Sequence, residues 1–340
     1  MGLAKRLYSA FRIGGHFGDP MEDSSRLTSW QKAKEVLRIA YTLPFVLASI
    51  VGVVFALTTR TEPLISILIP ITVLFLALFV NFSNDYFDHK SGVDKLRFSY
   101  YDDDPGLKEE ITKLFNQKVF WSGNSLDRGI ITEAQGKVLM ALLAIGAVLL
   151  SIPIVLYAGW LAVVLGLIGL ALAFFYTAPP VNLGARGLGE VDVMLSFTMI
   201  AFFSYFVIVQ EFSWPMLFLS MAIGFGAMLM RLSDEAPGHP SHVAKGEKNL
   251  LVRFGIENIM RIEIAMVIAI YACVLCAVVF EPFLMVLFLA LPIPVRTLKV
   301  MKGDTSRIRL WRPIPQFLKQ TISIELLAII ALIARIALTS

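Results

Sequence analysis

Three side chains suited to metal binding follow a long apolar segment in the first third of the chain. Asn81, Asp85 and Asp88 come directly after the apolar run 63–80, and on a helix their spacing of i, i+4 and i+7 puts them on one face. Carboxylates near a membrane are costly, so several on one face indicate a function. Oxygen ligands followed by lysines suit Mg²⁺ bound to a phosphate group. The stretch therefore predicts a site for a phosphorylated, apolar substrate.

The composition indicates how these residues are positioned. Hydrophobic residues make up 57% of the 340 residues and charged residues only 16%, with a mean hydropathy of +0.72. Apolar runs long enough to cross a bilayer recur along the chain. We expect the eighth run to be kinked or short because it contains three prolines. The sequence predicts an all-α polytopic membrane protein with nine spans, at about 37–57, 63–82, 137–157, 159–177, 190–210, 214–231, 259–279, 281–297 and 320–338.

The lysines and arginines predict the orientation. They concentrate before the first predicted span and in the loops after the second, sixth and eighth, and basic loops face the cytoplasm. We therefore expect a cytoplasmic N-terminus, a C-terminus outside, and Asp85 and Asp88 opening onto the cytoplasmic face of the cell membrane. The net charge of +4 follows from this topology, so we expect no nucleic-acid partner.

The domain organisation is simple, since no change in composition marks a second folded domain. We predict a cytoplasmic N-terminal segment, residues 1–36, and a transmembrane domain, residues 37–340, with a long cytoplasmic loop at 87–136. Within that loop, the acidic triplet 102–104 either adds a metal ligand or caps an amphipathic helix predicted over 107–120.

Two other loops on the predicted cytoplasmic side carry polar clusters. One follows the fourth predicted span, at 176–190, and the other follows the sixth, at 231–255. The second and sixth spans thus each end in a polar patch on the same side of the membrane.

These segments together resemble a known family. The pattern Asn-Asp-Tyr-Phe-Asp-x-Lys-x-Gly-x-Asp at 84–94 resembles the UbiA superfamily of intramembrane aromatic prenyltransferases. It is most similar to the branch that makes menaquinone precursors, the 1,4-dihydroxy-2-naphthoate polyprenyltransferases. Segments 122–132, 176–190 and 248–255 agree with that branch in order, and the resemblance runs from about residue 35 to 335.

The resemblance implies both an architecture and a reaction. The architecture is nine helices around a central cavity that opens sideways to membrane lipid. In the reaction, two aspartate-rich motifs hold Mg²⁺ on the diphosphate of a polyprenyl donor. Metal and basic residues then stabilise the leaving group, and an electron-rich aromatic acceptor attacks the allylic cation.

The resemblance also assigns site residues. Asp85 and Asp88 are expected Mg²⁺ ligands, with Asp234 and Glu235 facing them across the cavity and Asp234 as a further metal ligand. Tyr176 is expected near the cation or in the interfacial aromatic belt. The remaining candidates for substrate contact are Arg38, Asn81, Asn84, Lys90, Asp94, Lys95, Arg128, Arg186, His242, Lys245 and Lys248.

The second aspartate-rich motif departs from the family pattern. Its three positions correspond to Asp234, Gly238 and His242, so one carboxylate is kept, one side chain is missing and one is imidazole, a poor Mg²⁺ ligand. Glu235 is retained. Three interpretations stay open: a rebuilt metal site, a donor held partly by lysines, or changed chemistry with His242 as a base.

Two other classes of function also stay open. One is a different enzyme on the same scaffold, either a transferase to a glycerol-phosphate lipid or a prenyl cyclase. The other is a catalytically weakened member that binds prenyl lipid, since the second motif has lost carboxylates.

Overall fold

The computed structural model describes residues 28–92, 124–304 and 306–339, together with five residues of the intervening loop, Gly106, Leu107, Glu109, Glu110 and Lys113. Regular structure in these parts is helical. The α-helices with described bounds are α1 Ser29–Val36, α2 Ile39–Leu57, α3 Pro63–Ser91, α4 Glu133–Ala158, α5 Trp160–Phe175, α6 Gly189–Val209, α7 Trp214–Glu235, α8 His239–Lys245, α9 Leu250–Phe254, α10 Ile259–Phe280, α11 Pro292–Gly303 and α12 Pro313–Thr339. A π-helical turn spans Gly184–Leu188, and 3₁₀ helices span Ala236–Gly238, Ile256–Asn258, Pro282–Ala290 and Arg307–Leu310.

Helix α3 is longer than its apolar run. It begins at Pro63, whose missing N–H costs nothing in a first turn, and ends at Gly92, which adopts φ 71°. Its 29 residues make about 43 Å of helix, against a hydrocarbon core of about 30 Å. The last turns, which carry Asp85 and Asp88, therefore continue the apolar run in unbroken helical register.

The number of spans is only partly tested. Seven helical segments are long and apolar enough to cross a membrane within the described ranges. Helices α1 and α2 form a pair bent by 63° that passes the same test as one span. Helix α5 is apolar but has only 16 residues. Nine spans require both the bent pair and α5 to cross, so that number stays a prediction.

The proline-rich eighth span is irregular in a specific way. The 3₁₀ helix Pro282–Ala290 continues into α11, and together they form one apolar segment of 21 residues, Pro282–Lys302. The predicted interruption is therefore a change of helix type, because proline removes a backbone donor.

The core lies between α2, α6, α7, α10 and α12. Two glycines permit the closest approaches. A Cβ on Gly52 would meet the Ala201 carbonyl oxygen at 2.2 Å, and one on Gly224 would meet Thr198 Oγ1 at 2.1 Å. Small residues allow membrane helices to pack backbone to backbone in this way. By contrast, α5 buries none of its residues, so its apolar side chains are available to lipid.

Part of the long loop lies outside the described residues. The acidic triplet 102–104 and most of the predicted helix 107–120 belong there. Five residues at 106–113 are described, and all are helical.

Candidate active site

A cavity at one end of the bundle brings the two polar helix ends together. Its lining from the end of α3, and from α7 with the segment that follows it, includes Asn84, Asp85, Asp88, Asp234, Glu235 and His242. Helices α3 and α7 each carry their carboxylates past the end of an apolar run. The sequence predicted that these groups face one cavity.

The α3 side keeps its carboxylates at the edge of that cavity. Asp85 Oδ1 accepts a hydrogen bond from Arg38 Nη1 at 2.7 Å. Arg38 begins α2 in a left-handed conformation, φ 45°, and its guanidinium lies 4.5 Å from the centre of the Tyr41 ring. Asp88 Oδ2 accepts from Asn84 Nδ2 at 2.9 Å. Each carboxylate therefore has a fixed neighbour on the cavity wall.

A loop residue holds the backbone of this motif. Asn124 is buried, and its Nδ2 donates to the carbonyl oxygen of Asp85 at 2.7 Å. Its Oδ1 accepts from the Leu126 N–H at 3.0 Å. The segment before α4 is thus attached to the helical turn that carries the first motif.

The α7 side is a network of ion pairs. One oxygen of Glu235 contacts Arg231 Nη2, and the other lies 2.5 Å from His242 Nε2 and 3.2 Å from Asn249 Nδ2. The second ring nitrogen of His242, Nδ1, lies 2.6 Å from Glu247 Oε2. Buried charges are stable only when paired in this manner. Glu235 and His242 therefore bind each other and their neighbours.

Asp234 is held more loosely. Its Oδ2 lies 3.5 Å from Arg231 Nη1, longer than an ordinary hydrogen bond, and a quarter of its side chain, 26%, is accessible. Asp234 is thus the member of the second motif whose carboxylate is most open to the cavity.

The third wall comes from the loop after α5. Tyr176 is buried, with the Arg231 guanidinium 5.4 Å from its ring centre. Glu190 Oε1 accepts from the Leu250 N–H at 2.9 Å. Its Oε2 is buried and has no hydrogen-bond partner within the described part of the chain.

Two loops, one after α5 and one after α8, are joined behind this wall. The Lys248 N–H donates to the Ala185 carbonyl at 2.9 Å, and Arg253 Nη2 donates to the Arg186 carbonyl at 2.9 Å. Gly187, at φ 83°, lies so close that a Cβ would meet the Lys248 carbonyl oxygen at 2.1 Å. A side chain at this position would separate the loops.

Six of the predicted contact residues lie outside the cavity lining. Lys248 is exposed. The partners of the other five are Thr42 for Asn81, Glu133 for Lys90, Glu35 for Arg128, Pro180 for Arg186 and Ser91 for Lys245. Asp94 and Lys95 lie outside the described residues. The role of all these residues in substrate contact stays a prediction.

Several lining residues were not predicted from the sequence. Arg231, Glu190, Tyr41, Glu247 and Asn249 all line the cavity. A signal existed for Arg231, which precedes Asp234 by one helical turn and therefore shares its face. Tyr41 and Glu190 reach the cavity from the first turns of α2 and α6, and Glu247 and Asn249 reach it from the loop after α8. These positions depend on tertiary packing, which local spacing does not indicate.

The donor set fits a metal that arrives with its ligand. No group of three or more His, Cys, Asp or Glu side chains is placed to hold an ion by itself in the described ranges. Mg²⁺ usually binds through one or two carboxylates plus substrate phosphates. The accessible carboxylate of Asp234 and the two aspartates of α3 line the cavity and fit that mode, whereas Glu235 and His242 are already bound to each other.

Comparison with known proteins places the chain. The model of the UbiA prenyltransferase family matches residues 43–307. The chain is 20% identical over 284 residues to 1,4-dihydroxy-2-naphthoate octaprenyltransferase from Bacillus subtilis. The aligned region covers 82% of this chain and 84% of the relative. It is 31% identical over 111 residues to 2-carboxy-1,4-naphthoquinone phytyltransferase from Synechocystis, covering 32% and 36%.

Solved structures share the fold. A UbiA homologue from Archaeoglobus fulgidus bound to DMAPP and Mg²⁺ has a TM-score of 0.63 at 16% identity, covering 90% of this chain and 99% of that one. A digeranylgeranylglyceryl phosphate synthase has a TM-score of 0.56 at 15% identity, covering 89% and 99%. The chain therefore belongs to the UbiA prenyltransferase family and is an integral membrane prenyltransferase.

Proposed function

We propose that this enzyme transfers a polyprenyl group from polyprenyl diphosphate to an aromatic acceptor of the 1,4-dihydroxy-2-naphthoate type, with Mg²⁺ as cofactor. The observation that carries the proposal is the cavity in which Asp85, Asp88 and Asp234 face two arginines, Arg38 and Arg231. Two relatives support this acceptor class, since one is a 1,4-dihydroxy-2-naphthoate octaprenyltransferase and the other a 2-carboxy-1,4-naphthoquinone phytyltransferase.

The metal has a defined place in this proposal. Asp85, Asp88 and Asp234 would hold Mg²⁺ together with the diphosphate oxygens. When bound, the ion neutralises charge that develops on the leaving diphosphate. The homologue from Archaeoglobus fulgidus, described as bound to DMAPP and Mg²⁺, supports this choice of ion.

The chain's own residues orient the donor and protect the cation. Arg38 and Arg231 both line the cavity, where the guanidinium of each can donate to phosphate oxygens. Breaking the allylic C–O bond leaves the electron pair on diphosphate. The ring carbon of the acceptor forms the new C–C bond to the allylic cation and then loses the group it carried, a proton or carbon dioxide, which restores the aromatic ring. Tyr41, Phe87 and Tyr176 line the same cavity and offer π faces to the allylic cation.

The acceptor class is tested with purified protein. The enzyme is incubated with Mg²⁺, prenyl diphosphates of several lengths, and either 1,4-dihydroxy-2-naphthoate or a glycerol-phosphate acceptor. We expect a prenylated naphthoate and released diphosphate. Product with the glycerol-phosphate acceptor alone would contradict the proposal.

The same assay separates the other functions. Transfer to a glycerol-phosphate lipid is a second candidate because a digeranylgeranylglyceryl phosphate synthase shares the fold. A prenyl cyclase would release diphosphate without any acceptor. A weakened, binding-type member would release none.

We also propose the location and topology. Residues 37–340 form the transmembrane domain in the cell membrane, and the cavity opens on the cytoplasmic side of that membrane. Glu62, Glu211 and Glu281 lie at the ends of helices opposite the cavity. Reporter fusions at these three positions should all be outside the cytoplasm. A cytoplasmic signal from any of them would contradict this topology.

A further inference from the structure

We propose that this enzyme binds a single Mg²⁺ per diphosphate. The second aspartate-rich motif of the family is expected to hold a metal on one of the two phosphates, and in this chain the Arg231 guanidinium contacts that phosphate instead. The inference rests on the proposed function and specifies how the diphosphate is held. It comes from the contacts of Glu235, His242 and Arg231 around the end of α7.

Both carboxylate oxygens of the retained glutamate, Glu235, already contact other side chains. Glu235 Oε1 contacts Arg231, while Oε2 accepts from Asn249 and lies 2.5 Å from His242 Nε2. Its side chain is only 4% accessible. A metal at this carboxylate would have to break contacts that are otherwise buried, which is costly for the charges left behind.

The two other motif positions offer no ligand. Gly238 has no side chain, and both ring nitrogens of His242 lie within 2.6 Å of a carboxylate oxygen, one on Glu235 and one on Glu247. An imidazole held at both nitrogens cannot coordinate an ion in that arrangement. The second motif therefore contributes one open carboxylate, that of Asp234.

Charge gives the same result. A second Mg²⁺ brings two positive charges, which the family motif balances with carboxylates at the positions of Gly238 and His242. Without those carboxylates, a second ion at the end of α7 would have fewer compensating charges, because Glu247, which also lines the cavity there, already contacts His242. A guanidinium brings one positive charge, already paired with Glu235 here.

Arg231 has the position and the donors for the task. It lines the cavity, 26% of its side chain is accessible, and Tyr176 supports it from one side with 5.4 Å between guanidinium and ring centre. Arginine has five N–H donors in a fork that matches phosphate oxygens. The carboxylates of Glu235 and Asp234 hold this fork in place at the cavity wall.

Metal stoichiometry tests the proposal directly. Purified full-length protein is dialysed to equilibrium against Mn²⁺, a substitute for Mg²⁺, and labelled inorganic diphosphate. We expect one Mn²⁺ for each protein-bound diphosphate. Two ions per diphosphate would overturn this inference and leave the proposed function standing. An absence of metal-dependent diphosphate binding would overturn both.

Variants of Arg231 test its contact with the diphosphate. Arg231→Met should lower diphosphate affinity at least tenfold while the ratio of Mn²⁺ to bound diphosphate stays at one, and Arg231→Lys should recover part of the loss. Arg261→Met is a matched control, because Arg261 is exposed and bonded to Asn258 outside the cavity lining.

A melting curve for each variant separates folding from binding. Should Arg231→Met prevent folding, the comparison of wild type with Arg231→Lys remains, since lysine keeps the charge and loses the fork. Affinity within twofold of wild type in a folded Arg231→Met, or in Arg231→Lys when the methionine variant does not fold, would overturn the proposal.

Discussion

The ends of α3 and α7 face the same cavity but hold their carboxylates differently. At α3 each aspartate has a fixed neighbour, Arg38 for Asp85 and Asn84 for Asp88, at the cavity edge. At α7 the buried glutamate is enclosed by three partners. Similar side chains thus have different surroundings: the buried Asp85 and the half-buried Asp88 line the cavity beside Arg38 and Asn84, whereas Glu235 stabilises the wall that carries Arg231.

The largest effect is expected at the α3 end. Asp85→Asn or Asp88→Asn removes a negative charge from the proposed metal site and keeps the side-chain size. We expect kcat/KM to fall by about 10³-fold, equivalent to about 4 kcal/mol of transition-state stabilisation. Steady-state assays with Mg²⁺ measure this. Glu257→Gln, an exposed carboxylate outside the lining, is the control and should keep full activity.

Asp234 is the member of the second motif expected to behave like the α3 aspartates. Its side chain is accessible and its ion pair is long, so Asp234→Asn should cost turnover and leave stability nearly unchanged. We expect a loss of about 10²-fold, or about 2.7 kcal/mol. A fully active Asp234→Asn would contradict its proposed role as a metal ligand.

Glu235 should show the opposite behaviour, with a large effect on stability. Glu235→Gln leaves Arg231 and His242 without the charge that pairs them, and removing one partner of a buried ion pair costs about 3 kcal/mol. Denaturation in detergent should show that loss, whereas Asp88→Asn, at a half-buried carboxylate that accepts from the neutral Asn84 side chain, should melt near wild type. Equal melting temperatures for these two variants would remove the distinction between the helix ends.

Asn124, which connects the loop before α4 to the first motif, should have a smaller effect when it is replaced. Asn124→Ala leaves the Asp85 carbonyl without its buried donor, at a cost of about 1–2 kcal/mol. We expect lower thermal stability and a modest loss of turnover. Activity and melting temperature both equal to wild type would show that the motif does not depend on this bond.

Tyr176 is expected to give the smallest effect. Its hydroxyl is buried without a hydrogen-bond partner in the described part of the chain. Tyr176→Phe should therefore keep activity within about twofold. Tyr176→Leu removes the ring beneath Arg231 and should cost about 1 kcal/mol of diphosphate binding. Equal binding in the two variants would argue against a role for the ring.

Much of this comparison could be predicted from the sequence. Apolar runs predicted most spans because burial in lipid demands them, and the spacing of Asp85 and Asp88 predicted a shared helical face. The contacts of the Glu235 carboxylate could not be predicted, since they require that the chain after α7 folds back and brings His242 and Asn249 next to the end of that helix. Such contacts are set by tertiary packing, which local periodicity does not encode.

The contact at Gly187 has a consequence for motion. Because its backbone lies against the Lys248 carbonyl, the loops after α5 and α8 cannot open independently. Their amides should exchange with solvent as one cooperative unit, with shared protection. A ligand that orders one loop therefore restricts the other, and the entropy lost on binding is distributed over both.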